Sequence, residues 1–146
     1  MNTLFHLAFP VYDLALTKEF YHHKLGFSLG RESENALILK FENHQIVAHK
    51  TDIVTPAQEG IYPRHFGLIF LEQSEFKAFL LRVKEQHIDF EIPLKTRFKE
   101  TRIEHQSFFL QDPSNNLLEF KYYLFAEAIF GEKDLQKIGE SSVHRH

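Results

Sequence analysis

The chain has 146 residues, no cysteine and a formal net charge of −3. This length suits one domain with a sizeable core, and the missing cysteine excludes disulfides, thiolate metal sites and cysteine nucleophiles. Positive and negative residues are interspersed without a basic block, which disfavours nucleic-acid binding. The sequence shows neither a secretory signal pattern nor an apolar run long enough for a membrane span, so we expect a cytoplasmic protein.

The first part of the chain predicts a strand, a helix and three further strands. Residues 4–11 are mostly apolar and contain Pro10, which cannot donate to a sheet ladder and favours an edge position. Asp13 is a suitable N-cap for a helix over 14–25, and Gly26 follows where a C-terminal glycine is typical. Three short strands are expected near 27–32, 36–42 and 45–50.

The second part repeats this plan after a linker at 51–63, which carries two Pro and one Gly without apolar periodicity. A strand begins at His65, Ser74 is the expected cap of the next helix, and an irregular charged loop is predicted at 93–104. Three strands are expected near 88–92, 106–111 and 116–123. A short amphipathic helix over 124–138 and a frayed tail at 141–146 complete the chain.

The order β-α-β-β-β therefore occurs twice, which predicts an α+β fold with mostly antiparallel sheet and helices on one face. We treat residues 1–146 as a single domain built from two modules that pack together, with any site between them. Module one covers 4–50 and module two covers 64–123; the linker 51–63 joins them, and 124–146 forms the C-terminal helix and tail.

The repeat places His6 and His65 at equivalent positions, each on a short apolar run. A lone His on such a strand is usually an ordinary core residue. Glu119 differs, because it lies inside the apolar run LLEF and a buried carboxylate needs a partner. Two histidines and one carboxylate indicate a metal site.

Three segments carry a resemblance to a known family: HLAFPVYDLALTKEFYHHKLGF, RHFGLIF and QDPSNNLLEF. They resemble the vicinal oxygen chelate superfamily, which includes glyoxalase I, extradiol dioxygenases, fosfomycin-resistance thiol transferases and bleomycin-sequestering proteins. The third segment is similar to the family pattern D-P-x-G-N-x-x-E-[FL], with Asn115 in place of Gly. The resemblance implies two paired βαβββ modules that form an open, cup-shaped mixed β-sheet with helices outside. It also implies metal ligation by His6, His65 and Glu119.

A departure from the family concerns a fourth ligand position. Aligning NHQIVAHK with SNNLLEFK pairs Glu119 with Ala48, where members such as glyoxalase I have a carboxylate. The resemblance then implies a 2-His-1-carboxylate set that favours Fe(II) or Mn(II), with Zn(II) or Ni(II) as alternatives. His49 should point away from Ala48 and lie in the core or behind the ligands, unless a bulge turns it into the site.

Further site candidates follow from position and chemistry. Arg97 and Lys99 in the charged loop are candidates for holding an anionic substrate, and a solvated loop is the equal alternative. His105 is a candidate substrate contact, with a plain structural role as the alternative. Tyr122 is a candidate acid, although strand alternation turns either Tyr122 or Tyr123 away. No catalytic residue is assigned.

The resemblance implies a metal-dependent dioxygenase- or glyoxalase-like enzyme, in which a divalent metal chelates a small oxygen-rich substrate. The alternatives are a metal-free protein that sequesters a drug or antibiotic, a thiol transferase that confers antibiotic resistance, and a structural role. We expect a homodimer, because family members usually pair and the apolar stretch LFAEAIF needs cover. Whether the modules pair within a chain or swap between chains is left open.

Overall fold

The structure is a computed structural model, and it describes residues 1–53 and 55–139. The expected tail at 141–146 lies outside the described residues. The chain divides into two compact units. Unit one consists of Met1–Pro56 together with the turn Asp112–Asn116, and unit two consists of Ala57–Gln111 and the chain from Leu117 onward.

Unit one contains a four-stranded mixed sheet and one helical segment. Its elements are β1 (His6–Val11), α1 (Leu14–Lys18), a π-helical continuation (Glu19–Lys24), β2 (Ser28–Glu32), β3 (Ala36–Phe41) and β4 (His44–Lys50). The strand order is β1-β4-β3-β2. β1 runs parallel to β4 and the other pairs are antiparallel. Pro10 therefore lies on an outer strand, as predicted.

Local sequence signals explain how the helix of unit one begins and ends. The Asp13 side chain accepts a hydrogen bond from the Leu16 backbone N–H at 2.9 Å and caps the first turn. Gly26 has φ of 87°, which a glycine adopts without steric cost. Between them, the Tyr21 ring is buried against the Phe9 ring of β1, with centroids 5.7 Å apart. This packing fixes which face of the sheet the helix covers.

Unit two repeats the architecture. Its elements are β5 (Phe66–Phe70), α2 (Gln73–Glu85), β6 (Phe90–Arg97), β7 (His105–Gln111) and β8 (Leu117–Tyr123), in the order β5-β8-β7-β6. β5 and β8 are parallel, and the other pairs are antiparallel. Helix α2 packs on one sheet face through a cluster of phenylalanines, namely Phe76, Phe79, Phe108 and Phe120. The α+β fold with two βαβββ modules and open mixed sheets is thus confirmed.

Two boundaries differ from the sequence-based expectation. Helix α2 is capped at Glu72 rather than Ser74, because the Phe76 N–H already bonds to the Glu72 carbonyl at 3.1 Å. Strand β6 runs on to Arg97, so the expected loop at 93–104 is shorter. β6 is an outer strand with register shifts on both sides of Ile92, and such a strand accepts the Pro in this segment.

The terminal segment also differs from the expected helix. It contains a single 3₁₀ turn at Ala126–Ile129. The backbone N–H groups of Gly131 and Glu132 both bond to the Glu127 carbonyl, which closes the turn. The Glu132 side chain then accepts the N–H groups of Asp134 and Leu135, so local side-chain bonds replace a continued helix. No helix within the described residues is long and apolar enough to cross a membrane.

The turn Asp112–Asn116 explains the DPSNN motif. Buried Asp112 accepts hydrogen bonds from the backbone N–H groups of Ser114 and Asn116, each at 2.8 Å, and from the Tyr21 hydroxyl at 2.8 Å. Asn115 has φ of 67°, which accounts for Gly in the family pattern, since Asn is among the residues that tolerate this region. The turn is a hydrogen-bonded structural element of unit one.

Candidate functional site

The sheet of unit two has one face against α2 and a second face that carries polar side chains. On β8, Phe120 packs on Phe79 with ring centroids 4.6 Å apart, and Tyr122 stacks on Phe76 at 6.3 Å. Alternation along the strand places Glu119, Lys121 and Tyr123 on the other face. Tyr122 therefore lies on the helix side, and Tyr123 lines the cavity described below.

His65 and Glu119 meet on this polar face. The Nε2 atom of His65 lies 3.4 Å from Oε1 of Glu119, and Glu119 is only 9% exposed. The other ring nitrogen of His65, Nδ1, is 2.7 Å from the Ile61 carbonyl oxygen. Because a carbonyl only accepts, Nδ1 carries a hydrogen, and Nε2 is the ring atom that faces the carboxylate. Nε2 donates to Glu119 when the ring is protonated and presents a lone pair when the ring is neutral.

The two groups shift each other's proton affinity. Burial alone would raise the pKa of Glu119, but the His65 hydrogen bond and the charge of Lys121 outweigh it and hold the pKa below its ordinary value. Burial alone would lower the pKa of His65, but its bonds with Glu119 and Ile61 raise it. A proton or a metal ion between Nε2 of His65 and the Glu119 carboxylate would satisfy both groups.

Residues around Glu119 fix its position. The buried hydroxyl of Ser107 on β7 bonds to the Glu119 side chain. Lys121 lies two residues along β8, with its Nζ atom 3.6 Å from Glu119 Oε1. Gly67 of β5 is paired with Glu119, and any side chain there would overlap the Glu119 backbone carbonyl. A glycine is therefore required for β5 to approach β8 this closely.

A cavity of about 570 Å³ lies within unit two. Its walls include Glu119 and Lys121 on β8, His65 directly before β5, and residues of the terminal segment between Ala128 and Gly139. A volume of this size suits a small molecule. The terminal segment is held by an ion pair between Arg102 and Glu132, at 3.4 Å.

Two of the candidate substrate contacts line this cavity. His105 is buried, and its Nδ1 atom is 3.0 Å from the Ile103 carbonyl. Burial is the main cause that lowers the pKa of His105, so its ring is neutral near pH 7. Arg97 also lines the cavity and is 2% exposed, at the end of β6. Lys99 is exposed in the following loop, where it does not line the cavity.

His6 lies in unit one, on outer strand β1, and is exposed. Its Nδ1 atom is 2.7 Å from the side-chain oxygen of Gln45. In both His6 and His65, the Nδ1 atom thus contacts an amide oxygen, which comes from the Gln45 side chain for His6 and from the Ile61 backbone for His65. Among the described residues, no three His, Asp or Glu side chains are grouped closely enough to hold a metal ion.

The strand registers correct the expected pairing of Ala48 with Glu119. Glu119 pairs with Gly67, two residues after His65, and the matching residue in unit one is Val47, which pairs with Ala8. Ala48 pairs with Phe9, whose ring packs against the helix, so Ala48 faces the core. The error is a shift of one residue, and such a shift reverses the face in a strand.

The corrected register also changes the expected environment of His49. Its register in β4 is regular with both neighbours, without a bulge, so it lies on the same face as Val47. Its side chain is exposed rather than in the core. By repeat position, His49 is the unit-one equivalent of Lys121.

Sequence reasoning missed two residues beside Glu119. Lys121 shares the face of Glu119 by simple alternation, and this signal was sufficient to assign it to the site. Ser107 had no such signal, because a serine within HQSFFLQ is not distinguished by its neighbours. Its role depends on the register between β7 and β8, where Ser107 pairs with Lys121.

Comparison with known proteins agrees with this architecture. The family model of the Glyoxalase/Bleomycin resistance protein/Dioxygenase superfamily matches residues 3–120. A glyoxalase/bleomycin resistance protein/dioxygenase from Alicyclobacillus acidocaldarius is 40% identical, with a TM-score of 0.84, and the match covers 88% of this chain and 97% of that chain. A comparison with curated proteins gave no significant match.

Two more distant structures share the fold. A virulence protein from Salmonella typhimurium is 25% identical, with a TM-score of 0.60 over 85% of this chain and 98% of that chain. The fosfomycin resistance protein FosX from Listeria monocytogenes is 19% identical, with a TM-score of 0.65 over 88% of this chain and 98% of that chain. Repeated βαβββ modules and the match over residues 3–120 lead to one conclusion: the chain belongs to the Glyoxalase/Bleomycin resistance protein/Dioxygenase superfamily.

Proposed function

We propose that this protein is a metal-dependent enzyme of the vicinal oxygen chelate type, with dioxygenase- or glyoxalase-like chemistry on a small oxygen-rich substrate. The observation that carries the proposal is the pair of His65 Nε2 and Glu119 Oε1, which face each other at 3.4 Å. We further propose His6 as the third ligand, since its Nδ1 atom is anchored in the same way.

The residues fit a divalent metal by their chemistry. Histidines that bind metals usually donate their other ring N–H to a carbonyl or carboxylate oxygen, and both His65 and His6 make such a contact. Nitrogen and carboxylate donors suit Fe(II) or Mn(II), with Zn(II) and Ni(II) as alternatives. When bound, the metal would act as a Lewis acid that polarises substrate oxygens.

The cavity in unit two supports binding of a small substrate. His105 is our proposed substrate contact, because a neutral imidazole whose Nδ1 is engaged keeps Nε2 as an acceptor for a substrate hydroxyl. Lys121, beside Glu119, would offset negative charge on a substrate oxygen. Lys99, in the exposed loop, remains a proposal for an anionic contact at the rim.

One observation favours the alternative of a metal-free binding protein. Lys121 Nζ lies 3.6 Å from Glu119 Oε1, so a cation of the chain itself already compensates the carboxylate. In that alternative, the cavity would sequester a drug or antibiotic, and Glu119 would be part of an ion pair. A thiol transferase would use the same ligands as the enzyme we propose.

Metal titration separates these readings. Protein purified without chelator and titrated with Mn(II), Fe(II), Ni(II) and Zn(II) should bind about one ion per chain, and Glu119→Gln should weaken binding about 10- to 100-fold or more. His23→Gln is the control, since His23 lies on the π-helical stretch of unit one. Absence of binding of any of the four ions by the wild-type protein would reject the enzyme and favour the metal-free protein.

We also propose a homodimer. The outer strands β1 and β5 carry exposed apolar residues at or near their ends, Phe5 and Leu71 among them, and open strand edges favour association. Sedimentation at micromolar concentration should give a dimer, and a monomer would reject the proposal. Mixing His6→Gln protein with Glu119→Gln protein tests whether His6 binds the metal in its own chain or in a second copy. Metal binding that is restored by mixing would indicate ligands from two copies. The expected cytoplasmic location stays a prediction.

A further inference from the structure

We propose that Arg97 and Ser107 are positioning residues that hold the Glu119–His65 pair in its ligating geometry. This inference rests on the proposed function, because it concerns the residues behind the proposed ligands. It assigns Arg97 a role through other side chains, in place of direct contact with a substrate.

The first link runs from Arg97 to Glu119 through Ser107. The Nε atom of Arg97 donates to the Ser107 hydroxyl oxygen at 2.9 Å, and the Ser107 side chain is hydrogen-bonded to the Glu119 carboxylate. Because the Ser107 oxygen accepts from a guanidinium, its own hydrogen is free to go to the carboxylate. Arg97 and Ser107 are 2% and 0% exposed, so water does not compete for these bonds.

The second link runs from Arg97 toward His65 through Phe109. The guanidinium carbon of Arg97 lies 5.7 Å from the centroid of the Phe109 ring. The same ring meets the His65 ring edge to face, with centroids 5.1 Å apart. Phe109 also pairs with Glu119 across β7 and β8. A single buried cation therefore supports both members of the pair, by a hydrogen bond on one side and by ring packing on the other.

Positioning of this kind has a measurable consequence. A ligand carboxylate that is held by a buried hydroxyl has fewer orientations to lose when a metal binds. Removing such a supporting group typically costs 10- to 100-fold in metal affinity. The Ser107 hydroxyl is the sharper target, because Ser107→Ala leaves the Arg97 charge in place.

The test is a double-mutant cycle followed by metal affinity. Ser107→Ala should weaken binding of Mn(II) by about 10- to 100-fold, and Co(II) bound to the variant should show an altered visible absorption spectrum. In a Glu119→Gln background the same change should have little further effect on affinity, because Ser107 acts through that carboxylate. Ser114→Ala is the matched control, since it removes another buried serine hydroxyl, which accepts the Tyr12 backbone N–H at 2.9 Å.

Each outcome decides the inference. If Ser107→Ala binds metal as tightly as the wild type does, the inference is overturned while the proposed function stands. An equal loss in the wild-type and Glu119→Gln backgrounds would also overturn it, since the effect would then be general. A loss of similar size in Ser114→Ala would indicate a stability effect and overturn it as well. Wild-type protein that binds no metal would overturn the proposed function and this inference together.

Discussion

Replacing Lys121 by Met should lower the stability of the metal-free protein and raise its affinity for a metal, because the ammonium group and the metal would share the Glu119 carboxylate. Methionine keeps an apolar side chain of similar length and removes the charge 3.6 Å from Glu119 Oε1. Two unit charges at this distance attract by about 4 to 5 kcal/mol at an effective dielectric constant of about 20. The Lys121 side chain is 25% exposed, so screening and desolvation reduce the net value to about 1 to 2 kcal/mol.

The metal-free variant should therefore lose about 1 to 2 kcal/mol of unfolding free energy, measured by urea denaturation. Its affinity for Mn(II) should increase by about 5- to 30-fold, because the lysine no longer competes with the ion for the carboxylate. Isothermal titration of wild type, Lys121→Met and the exposed-site control Lys40→Met measures this change. Weaker or unchanged metal binding by Lys121→Met would refute the reasoning that the ammonium group and the metal share one carboxylate.

Three further changes follow from the structure. In metal-free protein, the raised pKa of His65 gives stability that is present below pH 6.5 and lost at higher pH, and the lowered pKa of Glu119 gives stability that is lost below about pH 4.5. The difference in melting temperature between wild type and His65→Gln should thus be largest between pH 4.5 and pH 6.5. Saturating metal should move this maximum to higher pH. A difference that does not change with pH would contradict this prediction. Gly67→Ala should lower the free energy of unfolding by about 1 to 3 kcal/mol and weaken metal binding, because β5 must move away from β8. Calorimetry measures both effects. Tyr21→Phe should cost about 1 to 3 kcal/mol through its lost bond to Asp112, with metal affinity unchanged in the same titration.

Much of the fold followed from local signals in the sequence. The sequence correctly predicts three local features, because each depends on one residue and its neighbours: the cap at Asp13, the end of the helix at Gly26 and the position of Pro10 on an outer strand. The terminal segment was misread, because its apolar spacing suggested a helix whereas the Glu132 side chain competes for the backbone N–H groups.

The site was predictable only in part, because its geometry depends on register. The apolar surroundings of Glu119 single it out in the sequence, and the structure places it 3.4 Å from His65. The pairing with Ala48 was wrong by one residue, since sequence similarity between the repeats does not fix which strand face a residue occupies. Ser107 needed the register of β7 against β8, which a single sequence does not contain.

The two acidic residues of the QDPSNNLLEF segment, Asp112 and Glu119, lie in different environments. Asp112 is buried and saturated by donors from its own turn and from Tyr21, so it stabilises the fold. Glu119 stands seven residues further along the chain, on a sheet face open to the cavity. The first half of the motif can therefore persist in relatives that have changed or lost their chemistry. The DPSNN segment therefore marks the architecture, whereas the function that we propose depends on the residues at the positions of His65, Ser107, Glu119 and Lys121.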